Sequence, residues 1–255
     1  MKIGAQMYTV RDFCKTAEDG VATLEKLAAM GYKQVQYSGC DAIPPALMRE
    51  TCDRLGMVIP FSHSPYQRII GDTEALIEDH RLMGCDCIGL GYIGEAHRNT
   101  VECLERFRRE MTEPIKKIRD AGMTFAYHNH SFEFAKVEGK MIFDHLLDMF
   151  PPEEMNIVLD TYWVQHGGGD VCQWIEKCAG RLKYVHLKDM GMTLDMKQMM
   201  TPIGEGSLNF PAILKAFEKA GAVAAFVEQD NCNGEDPLDC MERSLRYLES
   251  IGHEA

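Results

Sequence analysis

Short apolar runs alternate with amphipathic helical patterns eight times along the 255 residues, and no Pro-, Ser- or Gly-rich linker interrupts the series. The strand-like runs are 3–8, 34–37, 58–63, 87–90, 124–128, 156–160, 184–187 and 224–228. Helical periodicity occupies 17–30, 45–55, 73–83, 100–121, 141–150, 171–179, 210–220 and 237–251. Gly31, Gly56, Gly84, Gly122 and Gly221 follow helical patterns where a positive φ closes the last turn. Strand–helix repeats with right-handed crossovers build either an open doubly wound sheet or a closed barrel. Eight units predict a single (β/α)8 barrel domain over residues 1–255. An open dinucleotide-binding sheet would need a glycine fingerprint after its first strand, and Gln6-Met7-Tyr8-Thr9-Val10-Arg11 has none. The Gly167-Gly168-Gly169 run lacks the lysine and hydroxyl of a phosphate loop; it is expected to be flexible, with Asp170 capping the next helix.

This length can bury a full single-domain core, and 45% hydrophobic with 26% charged residues is the balance of a soluble globular protein. A formal charge of −12 argues against nucleic acid, whose phosphates demand a cationic face. The densest basic cluster, Arg106-Phe107-Arg108-Arg109, falls in a helical pattern and reads as a solvated face. No apolar stretch is long enough to span a bilayer, and no secretory signal is present. The ten cysteines form no C-x-x-C pair, so free thiols and a cytoplasmic location are expected.

Four of the apolar runs end in a residue that binds metals: His128, Asp160, His186 and Glu228. In a barrel, functional residues come from the C-terminal ends of strands, so these four endings, on strands five to eight, fall on one half of one rim. Two imidazoles and two carboxylates suit one divalent ion, with Mn, Co, Fe and Zn the natural occupants. The run Tyr127-His128-Asn129-His130-Ser131-Phe132-Glu133-Phe134 is the densest in polar groups. Strand alternation puts His128 and His130 on one side, and His130 or Glu133 could instead touch metal or substrate. After Asp160 come the aromatics Tyr162 and Trp163, suited to walling a sugar ring. Lys188 shares a face with His186 and could polarise a substrate oxygen, with Asp189 behind it as an orienter. Glu228 and Asp230 would repel without a compensating cation. The loop Pro202-Ile203-Gly204-Glu205-Gly206 offers Glu205 as a further acid. In the first half, His63 ends a strand, while Gln6, Tyr8 and Gln36 are candidates for the cavity floor.

These segments, with the opening Gly4-Ala5-Gln6-Met7-Tyr8-Thr9-Val10-Arg11, resemble the sugar phosphate isomerase/epimerase family of the xylose isomerase-like TIM barrel superfamily across nearly the whole chain. The resemblance implies one divalent ion, Mn above Co, Fe, Zn or Mg, held by a Glu, Asp, His, Glu set. Asp160, His186 and Glu228 match the last three positions. The first departs: His128 ends the fifth strand where relatives carry Glu, leaving His128 or Glu133 as the fourth ligand. Gln36 also stands where relatives often carry a glutamate. The implied chemistry is proton removal beside a carbonyl. The implied catalytic groups are Glu133, His130, Lys188 and Glu205, with His63, Tyr8, Tyr162 and Trp163 binding substrate. Returning the proton elsewhere gives an isomerase or epimerase of a keto-sugar or polyol, the leading expectation. Loss of a β-oxygen gives a lyase or dehydratase on a 3-keto-sugar, ketoglycoside or keto-inositol. A non-catalytic subunit or an endonuclease ranks last. A small-molecule sugar is the expected partner, without nucleic acid or membrane, and relatives are often homo-oligomers.

Overall fold

The computed structural model describes residues 1–40 and 42–255. Eight parallel strands form the centre: β1 (Lys2–Gln6), β2 (Val35–Gln36), β3 (Ser62–Ser64), β4 (Cys87–Leu90), β5 (Thr124–His128), β6 (Asn156–Val158), β7 (Tyr184–Leu187) and β8 (Ala224–Val227). Hydrogen bonding orders them as β2-β1-β8-β7 and β3-β4-β5-β6. Parallel bridges Gln34–Val58 and Tyr37–Ser62 join β2 to β3, and Asp160–His186 joins β6 to β7. The two half-sheets thereby close into a (β/α)8 barrel, ringed by helices that include Ala17–Met30, Pro45–Leu55, Thr73–Met83, Val101–Asp120, Phe210–Ala220 and Pro237–Ser250.

Alternation of side chains sorts each strand between two cores. Inward residues Phe61, Cys87, Ala126, Val158, Tyr184, Ala224 and Phe226 fill the barrel as one cluster. The Phe61 and Tyr184 rings stack at 4.9 Å, and Phe226 meets Phe61 edge-on at 4.8 Å. Gly4 leaves room for this plug, since a Cβ there would lie 2.5 Å from the Phe226 ring. The floor is therefore solid, and the cavity can open only toward the C-terminal rim. Outward residues pack on the helices; in Val101–Asp120, Leu104, Phe107, Met111, Ile115 and Ile118 recur at helical spacing and are buried. Each such side chain contributes roughly 1.5–3 kcal/mol of transfer free energy. Among the described residues, no helix is long and apolar enough to cross a membrane.

All five glycines after the helical patterns have positive φ, between 66° and 118°. Several boundaries differ from the sequence reading. β1 stops at Gln6 because the Gln6 side chain accepts the Tyr8 N–H and starts a 3₁₀ helix, Met7–Phe13. The third strand is confined to Ser62–Ser64, as Pro60 has no N–H for the ladder. Asp160 leaves its strand to cap the short helix Thr161–His166, which the sequence reading missed along with Tyr66–Gly71. Two antiparallel hairpins, Lys136–Val137 with Lys140–Met141 and Asp189–Met192 with Gln198–Thr201, were also missed. In the glycine run at 167–169 the outer two are closely packed, a Cβ on Gly167 falling 2.4 Å and one on Gly169 2.7 Å from Phe134. Asp170 does cap its helix, accepting the Gln173 N–H at 2.8 Å.

One buried pair behind β3 adds a defined contribution to how stability responds to acid. His80 Nδ1 donates to the Leu76 carbonyl at 2.7 Å, which leaves Nε2 to accept from the Ser62 hydroxyl at 2.6 Å. Burial pushes the imidazole down to about 4, against an ordinary value of 6.5. Because the folded value is the lower one, the contribution is complete above pH 6.5 and is lost as pH falls toward 4. Chemical denaturation at pH 7 and pH 5 should show a loss of roughly 2 kcal/mol from this group. The His80→Gln variant, which cannot take that proton, should lose correspondingly less between the same two pH values.

Candidate metal centre and cavity

Period-two alternation carries the inward face of each strand from apolar plug to polar rim: Ala126 to His128, Val158 to Asp160, Tyr184 to His186, and Phe226 to Glu228. His128 pairs in register with Val158, and Asp160 bridges to His186, which sets neighbouring endings at similar depth. One ligand atom from each of the four lies within 4.8 Å of every other, and all four residues are buried.

Both imidazoles are aimed by oxygen acceptors outside the quartet. His128 Nδ1 donates to the Gly91 carbonyl at 3.0 Å, turning its bare Nε2 toward Asp160 Oδ2 at 3.1 Å. His186 Nε2 donates to Gln36 Oε1 at 2.6 Å, turning Nδ1 toward Glu228 Oε2 at 2.8 Å and Asp160 Oδ2 at 3.7 Å. These tautomers follow from acceptors that have no proton to give. His186 Nδ1 and Glu228 Oε2 lie 2.8 Å apart with no hydrogen bond between them, so two buried ligand atoms converge on one point. A divalent cation relieves such a contact, and outer acceptors that orient imidazoles are a regular feature of metal sites. The donor set therefore fits a metal.

Lys188 is the one ammonium shared by three carboxylates of the cluster. Its Nζ lies 3.1 Å from Asp160 Oδ2, 2.8 Å from Glu228 Oε2 and 2.9 Å from both Asp230 oxygens. Burial opposes charge on Lys188, but the three carboxylates outweigh it and raise its pKa well above the ordinary value. Burial likewise opposes ionisation of Asp160 and Glu228, yet Lys188 and the imidazoles hold both well below the carboxylate range. Burial also opposes a proton on His186, but Glu228 and Asp160 raise its pKa. Burial and the neighbouring His128 push His130 down to about 2 and His63 well below its usual value, so both are neutral.

A cavity of about 670 Å³ opens above this centre. Of the sequence-predicted residues, Tyr8, His63, His128, His130, Lys188 and Glu228 line it. His63 Nε2 and His130 Nδ1 are buried there without hydrogen-bond partners. Trp163 sits against His130 at 5.3 Å between ring centroids, and its ring lies 5.6 Å from Lys188 Nζ.

Three predicted residues are elsewhere. Glu133 lies within a 3₁₀ turn, Phe132–Phe134, that tucks it under the loop. There it accepts from Tyr127 OH at 2.5 Å and from the His130 N–H at 2.8 Å, so it positions His130 from behind. Burial raises its carboxyl to about 7. Glu205 points outward to Arg243 at 2.8 Å, because the flanking Gly204 and Gly206 N–H groups turn in to Asp189 at 2.9 and 3.0 Å. Asp189 thus orders the 202–208 loop rather than a metal ligand. Tyr162 packs with Met190 and Met200 over the short helix, off the cavity. Asp230, the Gly91 carbonyl and Tyr92 were not singled out as site groups from sequence. Only the Glu228–Asp230 acid pair carried a signal.

The profile of the xylose isomerase-like TIM barrel family matches residues 24–251. The chain belongs to that family. Among curated relatives, an inosose dehydratase of Geobacillus kaustophilus is 26% identical over 152 residues, covering 53% of this chain and 48% of that protein. The matched stretch thus spans about half of that relative's length. A sugar phosphate isomerase/epimerase of Parabacteroides distasonis superposes with a TM-score of 0.82 at 23% identity, covering 98% of this chain and 94% of that one. An IOLI protein with a bound zinc atom superposes with a TM-score of 0.75 at 13% identity, covering 98% of each chain. At these identities the two structures establish the fold.

The Gln36 amide should matter to metal binding without touching the ion. In the Gln36→Leu variant, calorimetric titration with Mn²⁺ should show affinity reduced about 10–100-fold, the usual cost of losing an outer partner of a ligating histidine. Unchanged affinity would show that His186 needs no such orientation.

Proposed function

We propose that this family member is a divalent-metal-dependent enzyme acting on a polyhydroxylated ketone, a keto-sugar or keto-polyol. It removes a proton beside the carbonyl and then expels a β-oxygen, as a dehydratase or lyase. The supporting observation is the buried His128, Asp160, His186, Glu228 quartet beneath a cavity into which two unpartnered imidazole nitrogens project. The four side chains would hold the ion, with manganese the expected occupant and cobalt, iron or zinc compatible with the same donors. When bound, the ion supplies Lewis acidity that polarises a carbonyl and offsets charge developing on its oxygen.

The remaining work falls to the chain's own groups. His130 Nδ1 and His63 Nε2 each offer a lone pair to the cavity. One of them takes the carbon-bound proton as the C–H bond breaks. As the C–O bond at the β-position breaks, that proton is returned to the departing oxygen, leaving an unsaturated ketone. Lys188 keeps Asp160 and Glu228 ionised and presents an ammonium beside the reacting oxygens. Glu133 holds the His130 backbone in place, and Trp163 covers the His130 ring on one side. The dehydratase activity of the Geobacillus kaustophilus relative supports elimination over the isomerase outcome that leads from sequence alone. Isomerisation or epimerisation is the second reading, supported by the name of the Parabacteroides distasonis structure and by the same first step.

Manganese-loaded protein should be incubated in D₂O with a 2-keto-inositol and a 3-keto-glucoside, and the products followed by NMR. Elimination predicts loss of water or aglycone with a new alkene signal. The His130→Phe variant should be slower by roughly 100-fold or more, and EDTA should abolish turnover. Deuterium at carbon with no loss of oxygen would assign the isomerase reading. Full turnover after metal removal would contradict both.

A further inference from the structure

The cavity extends well past the metal centre. At about 670 Å³ it has room for about twenty water-sized groups, whereas a keto-hexose carries roughly a dozen non-hydrogen atoms. Its far wall is formed by the start of the helix after β3 and the loop after β4, with Tyr66, Gln67, Tyr92 and His97. Tyr92 is 54% exposed, a large aromatic ring left open at the mouth, its centroid 5.8 Å from that of His130 in a T-shaped contact.

This wall is built firmly. Glu110 accepts from His97 at 2.8 Å and, by a short hydrogen bond, from the Tyr66 hydroxyl. Tyr66 packs on the buried Phe107 at 6.0 Å. Arg98 lies over Phe132 at 3.9 Å, and Arg106 donates to the Ala96 carbonyl. The loop that presents Tyr92 also supplies the Gly91 carbonyl that aims His128. Wall and metal centre are therefore joined through one loop.

Charge narrows what can lie there. Among the described residues that line the cavity, Lys188 is the sole lysine or arginine, and three carboxylates already engage it. Glu95, Glu228 and Asp230 also line the cavity. At the far wall a phosphate would meet Glu95 and no lysine or arginine that lines the cavity. An uncharged ring with an apolar face would meet exposed tyrosine.

We propose that the Tyr66–Tyr92 wall is a second subsite that takes a neutral ring attached to the reacting polyol, so that the substrate is an uncharged glycoside rather than a free or phosphorylated sugar. This deepens the proposed function and rests on it only for which ring reacts. Binding of the methyl and phenyl glucosides tests it apart from turnover, since both are locked acetals with no free carbonyl and neither can be enolised. Saturation-transfer NMR titrations should compare glucose, glucose 6-phosphate, methyl β-glucoside and phenyl β-glucoside on the manganese-loaded full chain. Phenyl β-glucoside should bind about tenfold more tightly than the methyl glucoside. The Tyr92→Ala variant, altered at an exposed position, should bring the two within about twofold of each other. Glucose 6-phosphate should bind no more tightly than glucose. Equal affinity for the two glucosides, an aryl preference untouched by Tyr92→Ala, or preferential binding of the phosphate would overturn the proposal.

Discussion

Two carboxylates, Asp160 and Glu228, sit at the centre of the barrel rim with almost no access to water. An unpaired buried carboxylate would shift its pKa and take up a proton rather than remain charged, so the structure around these two is organised to keep them ionised. Lys188 reaches them from the same strand face as His186, and Asp230 completes a cluster in which one ammonium serves three acids. The imidazoles are turned inward by Gly91 and Gln36, which lie on other strands or the loops beyond them. Removing the lysine would leave uncompensated buried charge, a change that typically costs about 3–5 kcal/mol.

The same arrangement explains why the centre suits chemistry. Ionised carboxylates and aimed nitrogen lone pairs are what a divalent ion needs, and they are assembled before it arrives. The solid plug of Phe61, Tyr184 and Phe226 closes the barrel below, so substrate can approach only from the rim, where His63 and His130 stand. Preorganisation extends outward through the loop after β4, which fixes His128 at one end and the Tyr92 wall at the next residue.

Much of this was legible along single strands. Period-two alternation and the rule that barrel function lies at strand ends were enough to bring His128, Asp160, His186 and Glu228 to one place, because both depend on local order in sequence. Partners contributed by other strands were not so readable. Gln36 meets His186 across 150 positions of chain, and Gly91 contributes a backbone carbonyl that no residue pattern marks. Glu133 and Glu205 failed for a shared reason: each lies in a loop whose backbone turns the side chain away. A 3₁₀ turn does so at Glu133, and Asp189 capturing the neighbouring N–H groups does so at Glu205. Tyr162 was displaced because Asp160 starts a helix where extended chain was expected.

The carboxylates that Lys188 holds ionised, Asp160 and Glu228, are the same ones that would bind the ion. Anomalous diffraction from manganese-soaked crystals tests this most directly. A single peak about 2.0–2.3 Å from His128 Nε2, His186 Nδ1, Asp160 and Glu228, with Lys188 Nζ moved back toward Asp230, is the predicted result. A peak bound elsewhere, or none with Lys188 still bridging Asp160 and Glu228, would contradict it.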